Sequence, residues 1–78
     1  MNVNIDQIIE QIKKADTQMD IEGLTAEALF EDLGADSLDM MNIFVELEDI
    51  LGFMVPDEDV DELKSVKDIF EYALKRQG

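Results

Sequence analysis

Ser37 is the residue whose setting offers a site for chemistry. It lies in Gly34-Ala35-Asp36-Ser37-Leu38-Asp39, just where an amphipathic run begins. Either Asp36 or Ser37 can be the N-cap of that helix, because both side chains accept hydrogen bonds from the first free N–H groups. If Asp36 caps, Asp39 is the third helical residue and both acids lie in the first turn, where the helix dipole favours them. The Ser37 hydroxyl is then left free and points outward. If Ser37 caps, its hydroxyl is engaged with the backbone and has no other task. Ser before an amphipathic run is common, and local pattern alone favours that plainer assignment. A free hydroxyl here is not an activated nucleophile, since the chain has no His and the nearest lysines in sequence are Lys14 and Lys64. It can be an attachment point. A phosphodiester on it would lie beside the free N–H groups of the helix start, which suit an anion.

Other chemistry has little to work with. The chain has no His, no Cys and no Trp. The usual general base and the usual transition-metal ligand are missing, and so is any thiolate or disulfide. A self-contained Ser-His or Cys-His enzyme is excluded. Asp57, Asp59 and Asp61 begin like a calcium loop, with Asp68 at the twelfth position. The sixth position is Glu62, where such a loop needs Gly for its turn, and Lys64 sits inside it. No dedicated metal site is expected, only weak association of divalent ions with crowded carboxylates. Paired carboxylates find no pocket to shift their pKa values for acid–base work.

Charge points to partners. Six Lys plus Arg face twenty Asp plus Glu over 78 residues, a net charge of −14. Residues 15–63 hold sixteen of those acids and not one Lys or Arg. Such a surface repels nucleic acid and anionic lipid and attracts basic protein surfaces. The apolar fraction of 46% is too high for a disordered acidic tail. The longest apolar run, Phe53 to Pro56, is four residues with Pro56 counted, so nothing spans a membrane. The polar start Met1-Asn2-Val3-Asn4 does not read as a signal peptide. One domain, residues 1–78, is expected, with modest stability that improves with salt or divalent cations.

The elements that must position Ser37 follow from apolar spacing. Ile5, Ile8, Ile9 and Ile12 mark one face of a helix from about Ile5 to Ala15, with Asn4 as N-cap and Gln7 completing a capping box. Lys13 and Lys14 form its solvated face. From Asp16 to Thr25 the chain reads as a long loop pinned by Met19, Ile21 and Leu24. Thr25 to Ala28 can form one helical turn, after which Leu29, Phe30 and Leu33 return to the core and Gly34 ends the segment. A second helix runs from about Ser37 to Leu51 and stops at Gly52. Phe53-Met54-Val55 reads as a buried connector. Asp57 can cap a short acidic helix through Glu62. Ser65-Val66-Lys67-Asp68 reads as a capping box, and the last helix buries Val66, Ile69, Phe70, Ala73 and Leu74, with Lys75 and Arg76 at its C-terminal end. The methionines read as core filler, Met41 excepted. The expected fold is all-α, a four-helix bundle of three longer helices and one short one, with a long loop between the first and second.

The second helix has two apolar faces. At about 100° per residue, Met40, Ile43, Phe44, Leu47, Ile50 and Leu51 cluster on one side and Leu38, Met41 and Val45 on nearly the opposite side. Asn42, Glu48 and Asp49 flank the second strip, with Asp39 and Glu46 further round. So small a chain has too little else to cover that strip. An exposed apolar strip rimmed by acids is a docking surface for proteins.

Leu33-Gly34-Ala35-Asp36-Ser37-Leu38-Asp39 resembles the attachment motif of the acyl carrier proteins. The likeness runs through the second helix, Val55-Pro56-Asp57-Glu58, and Ser65-Val66 with Tyr72. Upstream it includes Glu27-Ala28-Leu29-Phe30-Glu31-Asp32, so about three quarters of the chain is covered. The resemblance implies a four-helix bundle with a 4′-phosphopantetheine arm on Ser37, flanked by Asp36 and Leu38 and loaded from coenzyme A by a phosphopantetheinyl transferase. The thiol that a Cys-free chain lacks would come with the arm and carry an acyl group as a thioester. Position by position, the resemblance assigns Asp36, Leu38, Asp39, Met41, Asn42, Val45, Glu48 and Asp49 to the face read by partner enzymes. It assigns Leu29, Leu33, Leu47, Val55 and Leu63 to the acyl pocket.

Asn42 stands where fatty-acid carriers usually have an acid, Glu46 where a small residue is common, and Gly52-Phe53-Met54 is more apolar than usual. The expected role is a cytoplasmic, monomeric carrier in type II fatty acid biosynthesis. Its expected partners are the transferase and acyl-processing synthase enzymes with basic docking patches. A carrier for a polyketide, lipopeptide or other acyl or aminoacyl pathway is the alternative, and an acidic adaptor that carries nothing is a further one. An independent enzyme has no residues to support it.

Overall fold

The structure, a computed structural model, describes residues 3–15 and 17–77, Gln77 by its backbone alone. The expectations placed on Met1, Asn2 and Asp16 lie outside the described residues.

Helix α1, Ile5–Lys14, begins where Asn4 is extended and its side chain accepts the Gln7 N–H at 2.8 Å. Gln7 returns the bond, accepting the Asn4 N–H at 2.9 Å. Ile8 and Ile12 are fully buried, and Ile5 and Ile9 pack beside them. This stripe lies against α2, Ser37–Leu51, and α4, Val66–Gln77. Lys13 and Lys14 are exposed, Lys13 with Glu10 at 4.0 Å.

Helix α2 buries Ile43, Phe44, Leu47 and Leu51 and ends at Gly52, whose φ of 80° only glycine adopts without strain. Met40 and Ile50, expected on the core face, are half-buried at its margins. Gln11 of α1 donates from Nε2 to the Glu46 carbonyl at 3.2 Å and to its carboxylate at 3.3 Å, joining the two helices.

The long loop is folded down rather than free. Met19 and Leu24 are buried, and the Asp20 N–H donates to the Leu33 carbonyl at 2.9 Å. Thr25 to Ala28 form a hydrogen-bonded turn and not a helix. Phe30 N–H donates to Lys64 O at 2.9 Å, Lys67 N–H donates to Ala26 O at 2.9 Å, and Leu29 faces Ser65 in an isolated antiparallel bridge. These bonds satisfy backbone groups that a buried loop must otherwise leave unpaired.

Helix α3 is Asp57–Val60, shorter than expected. Pro56 takes the N-cap position, so Asp57 is the first helical residue and no side chain caps the helix. The Pro56 carbonyl accepts from Asp59 and Val60 at 2.9 and 3.0 Å, and nothing in α3 is buried that would extend it to Glu62. At the start of α4, Ser65 Oγ accepts the Asp68 N–H at 3.2 Å, while the Asp68 carboxylate accepts from Lys64 N–H at 3.1 Å instead of from Ser65.

Three expected core residues are exposed. Leu74 is 52% exposed: about 100° per residue puts it some 140° from Ile69, off the Val66, Ile69 and Ala73 stripe. Met54 is 71% exposed because its neighbours in the connector, Phe53 and Val55, take the inner side. Leu29 is 42% exposed at the lip of an open groove. Among the methionines described, only Met19 is buried core. Four helices and no strand make up the regular structure of the described residues, an all-α bundle.

Candidate functional site

The start of α2 resolves the choice of cap. Asp36 is the N-cap, extended at φ −107° and ψ −175°. Its Oδ1 accepts the Asp39 N–H at 2.9 Å, and Asp39 Oδ2 accepts the Asp36 N–H at 3.2 Å. Ser37 is therefore the first helical residue. It is exposed, and among the described residues its hydroxyl has no hydrogen-bond partner. The N–H groups of Ser37 and Leu38 open the helix, at the positive end of its dipole. An anion attached to Ser37 would find them within the first turn.

The same geometry corrects one expectation. Asp39 was assigned to the docking face, but it is 7% exposed and its carboxylate is turned back onto the Asp36 backbone. It shapes the site and offers no surface to a partner. The apolar strip is where the wheel puts it: Leu38, Met41 and Val45 are 64%, 60% and 62% exposed, with Ile43 and Leu47 buried behind them. Asp36 and Asp49 are exposed on its rim, and Asn42 and Glu48 half-buried.

Beside Ser37 opens a groove of about 490 Å³. Its walls are Leu29 and Phe30 before α2, Met40 and Met41 on α2, and Val60 with Leu63 on the far side. Of the residues expected to line an acyl pocket, Leu29 and Leu63 do border this groove, whereas Leu33, Leu47 and Val55 do not. Leu47 and Val55 fill the core, and Leu33 packs toward Gly23, where an added Cβ would come within 3.0 Å of it. Met40 and Val60 were missed. Met40 follows Ser37 by three residues, one helical turn, and that spacing is the signal that would have found it.

A second cluster stands behind α3. The Tyr72 hydroxyl donates to Asp59 Oδ2 at 2.7 Å. That bond, then burial and the nearby carboxylate charge, raises the phenol above its usual 10.0, with Arg76 opposing. The Phe53 ring lies 6.2 Å from that of Tyr72, and the Arg76 guanidinium sits 4.9 Å from the Phe53 centroid. Among the described residues no three or more acidic side chains are placed to hold a metal ion.

The family model described as the phosphopantetheine attachment site matches residues 6–73. The chain belongs to the acyl carrier proteins. It is 43% identical over 61 residues to the acyl carrier protein of Syntrophobacter fumaroxidans, covering 77% of this chain and 75% of that one. It is 36% identical over 70 residues to the acyl carrier protein of Treponema denticola, covering 88% and 90%. That of Bdellovibrio bacteriovorus is 39% identical over 72 residues, covering 91% and 86%. Acyl carrier proteins are carriers and not enzymes, and their cofactor is covalently attached 4′-phosphopantetheine. The residues present fit such a group: an exposed hydroxyl at a helix start suited to a phosphate, beside a largely apolar groove. No helix among the described residues is long and apolar enough to cross a membrane.

Proposed function

We propose that Ser37 is the attachment residue and that this carrier holds acyl intermediates in type II fatty acid biosynthesis. One observation supports this above all: the Asp36–Asp39 pair caps α2 and leaves Ser37 exposed without a structural task of its own. When attached, the group supplies the thiol that the chain lacks, to which the acyl cargo is joined as a thioester. The N–H groups of Ser37 and Leu38 favour the phosphate, and Leu29, Met40 and Leu63 shelter the cargo in the groove.

Leu38, Met41 and Val45, rimmed by Asp36, Asn42, Glu48 and Asp49, form the surface for a phosphopantetheinyl transferase and for acyl-processing enzymes with basic patches. The acids bring the basic patch in and orient it, and the strip supplies desolvated contact. The carrier works in this reading as a single domain, a monomer in the cytoplasm. Treatment with coenzyme A and transferase, then cleavage at acidic residues and peptide mass mapping, tests the site. The added group should fall on the peptide holding Ser37, and its appearance on another residue would contradict the assignment.

A further inference from the structure

One wall of the groove is held unlike the rest. The segment before α2 is anchored by Phe30 and α2 by Ile43, both buried, but α3 buries no residue and has no side-chain cap. Asp57, Val60 and Asp61 line the groove, and at about 100° per residue they share one face, with Asp59 on the opposite one. From that far face Asp59 accepts the Tyr72 hydroxyl at 2.7 Å. Tyr72 belongs to α4, which is fixed in the core by Val66, Ile69 and Ala73, and its ring is braced by Phe53 and Arg76. Val60 packs against the margin of the core, and the side-chain hydrogen bond of α3 found among the described residues pulls from behind, away from the cavity.

We propose that Tyr72 is a positioning residue for the groove: through Asp59 it holds α3 back and keeps the cavity open to an apolar acyl chain. This rests on reading the groove as the cargo pocket. A short helix with no buried residue opens locally at little cost, so a single hydrogen bond to a carboxylate decides where it sits. Without the tie α3 settles toward the apolar wall and fills the space that the cargo needs.

The test uses the unmodified chain and two readouts. Tyr72→Phe removes only the hydroxyl. Amide hydrogen exchange at Val60 and Leu63 should quicken roughly three- to tenfold. Affinity for the neutral fluorophore N-phenyl-1-naphthylamine should fall by a similar factor. Asp59→Ala should match Tyr72→Phe, the double variant should add nothing, and Asp59→Asn, which keeps an acceptor, should behave like the parent. Unchanged exchange at Val60 and Leu63 would mean that the bond does not hold α3 and would overturn the proposal. So would unchanged probe affinity in Tyr72→Phe. A parent that does not bind the probe would overturn the pocket itself, and with it the proposal, while leaving Ser37 as the attachment site.

Discussion

Asp36 and Asp39 cap each other across the first turn of α2, side chain to backbone in both directions, at 2.9 and 3.2 Å. Ser37 lies between them and takes part in neither bond. Two acids therefore do the structural work that a serine at a helix start usually does. Asp36→Ala and Asp39→Ala should each cost about 1 kcal/mol, which for a domain of this size lowers Tm by about 4–8 °C. Ser37→Ala should stay within about 0.5 kcal/mol of the parent. Thermal unfolding followed by circular dichroism measures all three. A large loss in Ser37→Ala alone would return the cap to Ser37.

The two faces of α2 should separate in a mutant set. Leu47 is fully buried and Val45 is 62% exposed, two residues apart. Leu47→Ala should cost about 2–5 kcal/mol, transfer and cavity together. Val45→Ala and Met41→Glu should stay within about 0.5 kcal/mol. Met41→Glu should nonetheless slow loading by a transferase about tenfold, as loss of a central apolar contact does. Urea midpoints and loading rates check this. A strong loss of stability in Met41→Glu would place Met41 in the core.

Those faces were legible because a helix has a fixed pitch. Leu38, Met41 and Val45 lie on the exposed side where spacing alone put them, and the N-cap at Asn4 and the stop at Gly52 are set by local chemistry. What spacing does not carry is the meeting of distant segments. The Tyr72–Asp59 bond, the Gln11–Glu46 bonds and the pairing of Leu29 with Ser65 join residues 13 to 36 apart in sequence. Leu29 and Leu74 are apolar and still exposed, because one borders an open groove and the other lies beyond the stripe that α1 covers. At Ser37 the local pattern favoured the wrong cap, since it cannot weigh one acid's bond against another's. The reciprocal bond from Asp39 decides it.

Salt should stabilise the fold. The chain carries −14 with only six cations, and the ion pair found among the described residues, Lys13 with Glu10, is exposed and 4.0 Å long. Repulsion is met by screening rather than by pairing, and the Debye length shrinks from about 30 Å at 0.01 M to about 10 Å at 0.1 M. Tm should rise between those two concentrations of sodium chloride. A fall would mean that ion pairs outweigh repulsion.

Tyr72 makes stability depend on high pH. Its folded pKa lies above the usual 10.0, chiefly through the bond to Asp59, so the folded chain holds the phenolic proton more tightly than the unfolded one. The stabilisation is fully present below the unfolded value and is lost as pH rises through the folded one. The urea midpoint of the parent should exceed that of Tyr72→Phe by a constant amount from neutral pH to about pH 9, and the gap should close above pH 10.0. A gap that widens with pH would contradict the assigned donor.

The most direct test of the carrier reading is intact mass after incubation with coenzyme A and a broad-specificity phosphopantetheinyl transferase, the parent beside Ser37→Ala. The parent should gain the mass of one phosphopantetheine and the folded variant none. A folded parent that gains nothing even with the transferase of its own host, or a variant that gains the same mass, would contradict it.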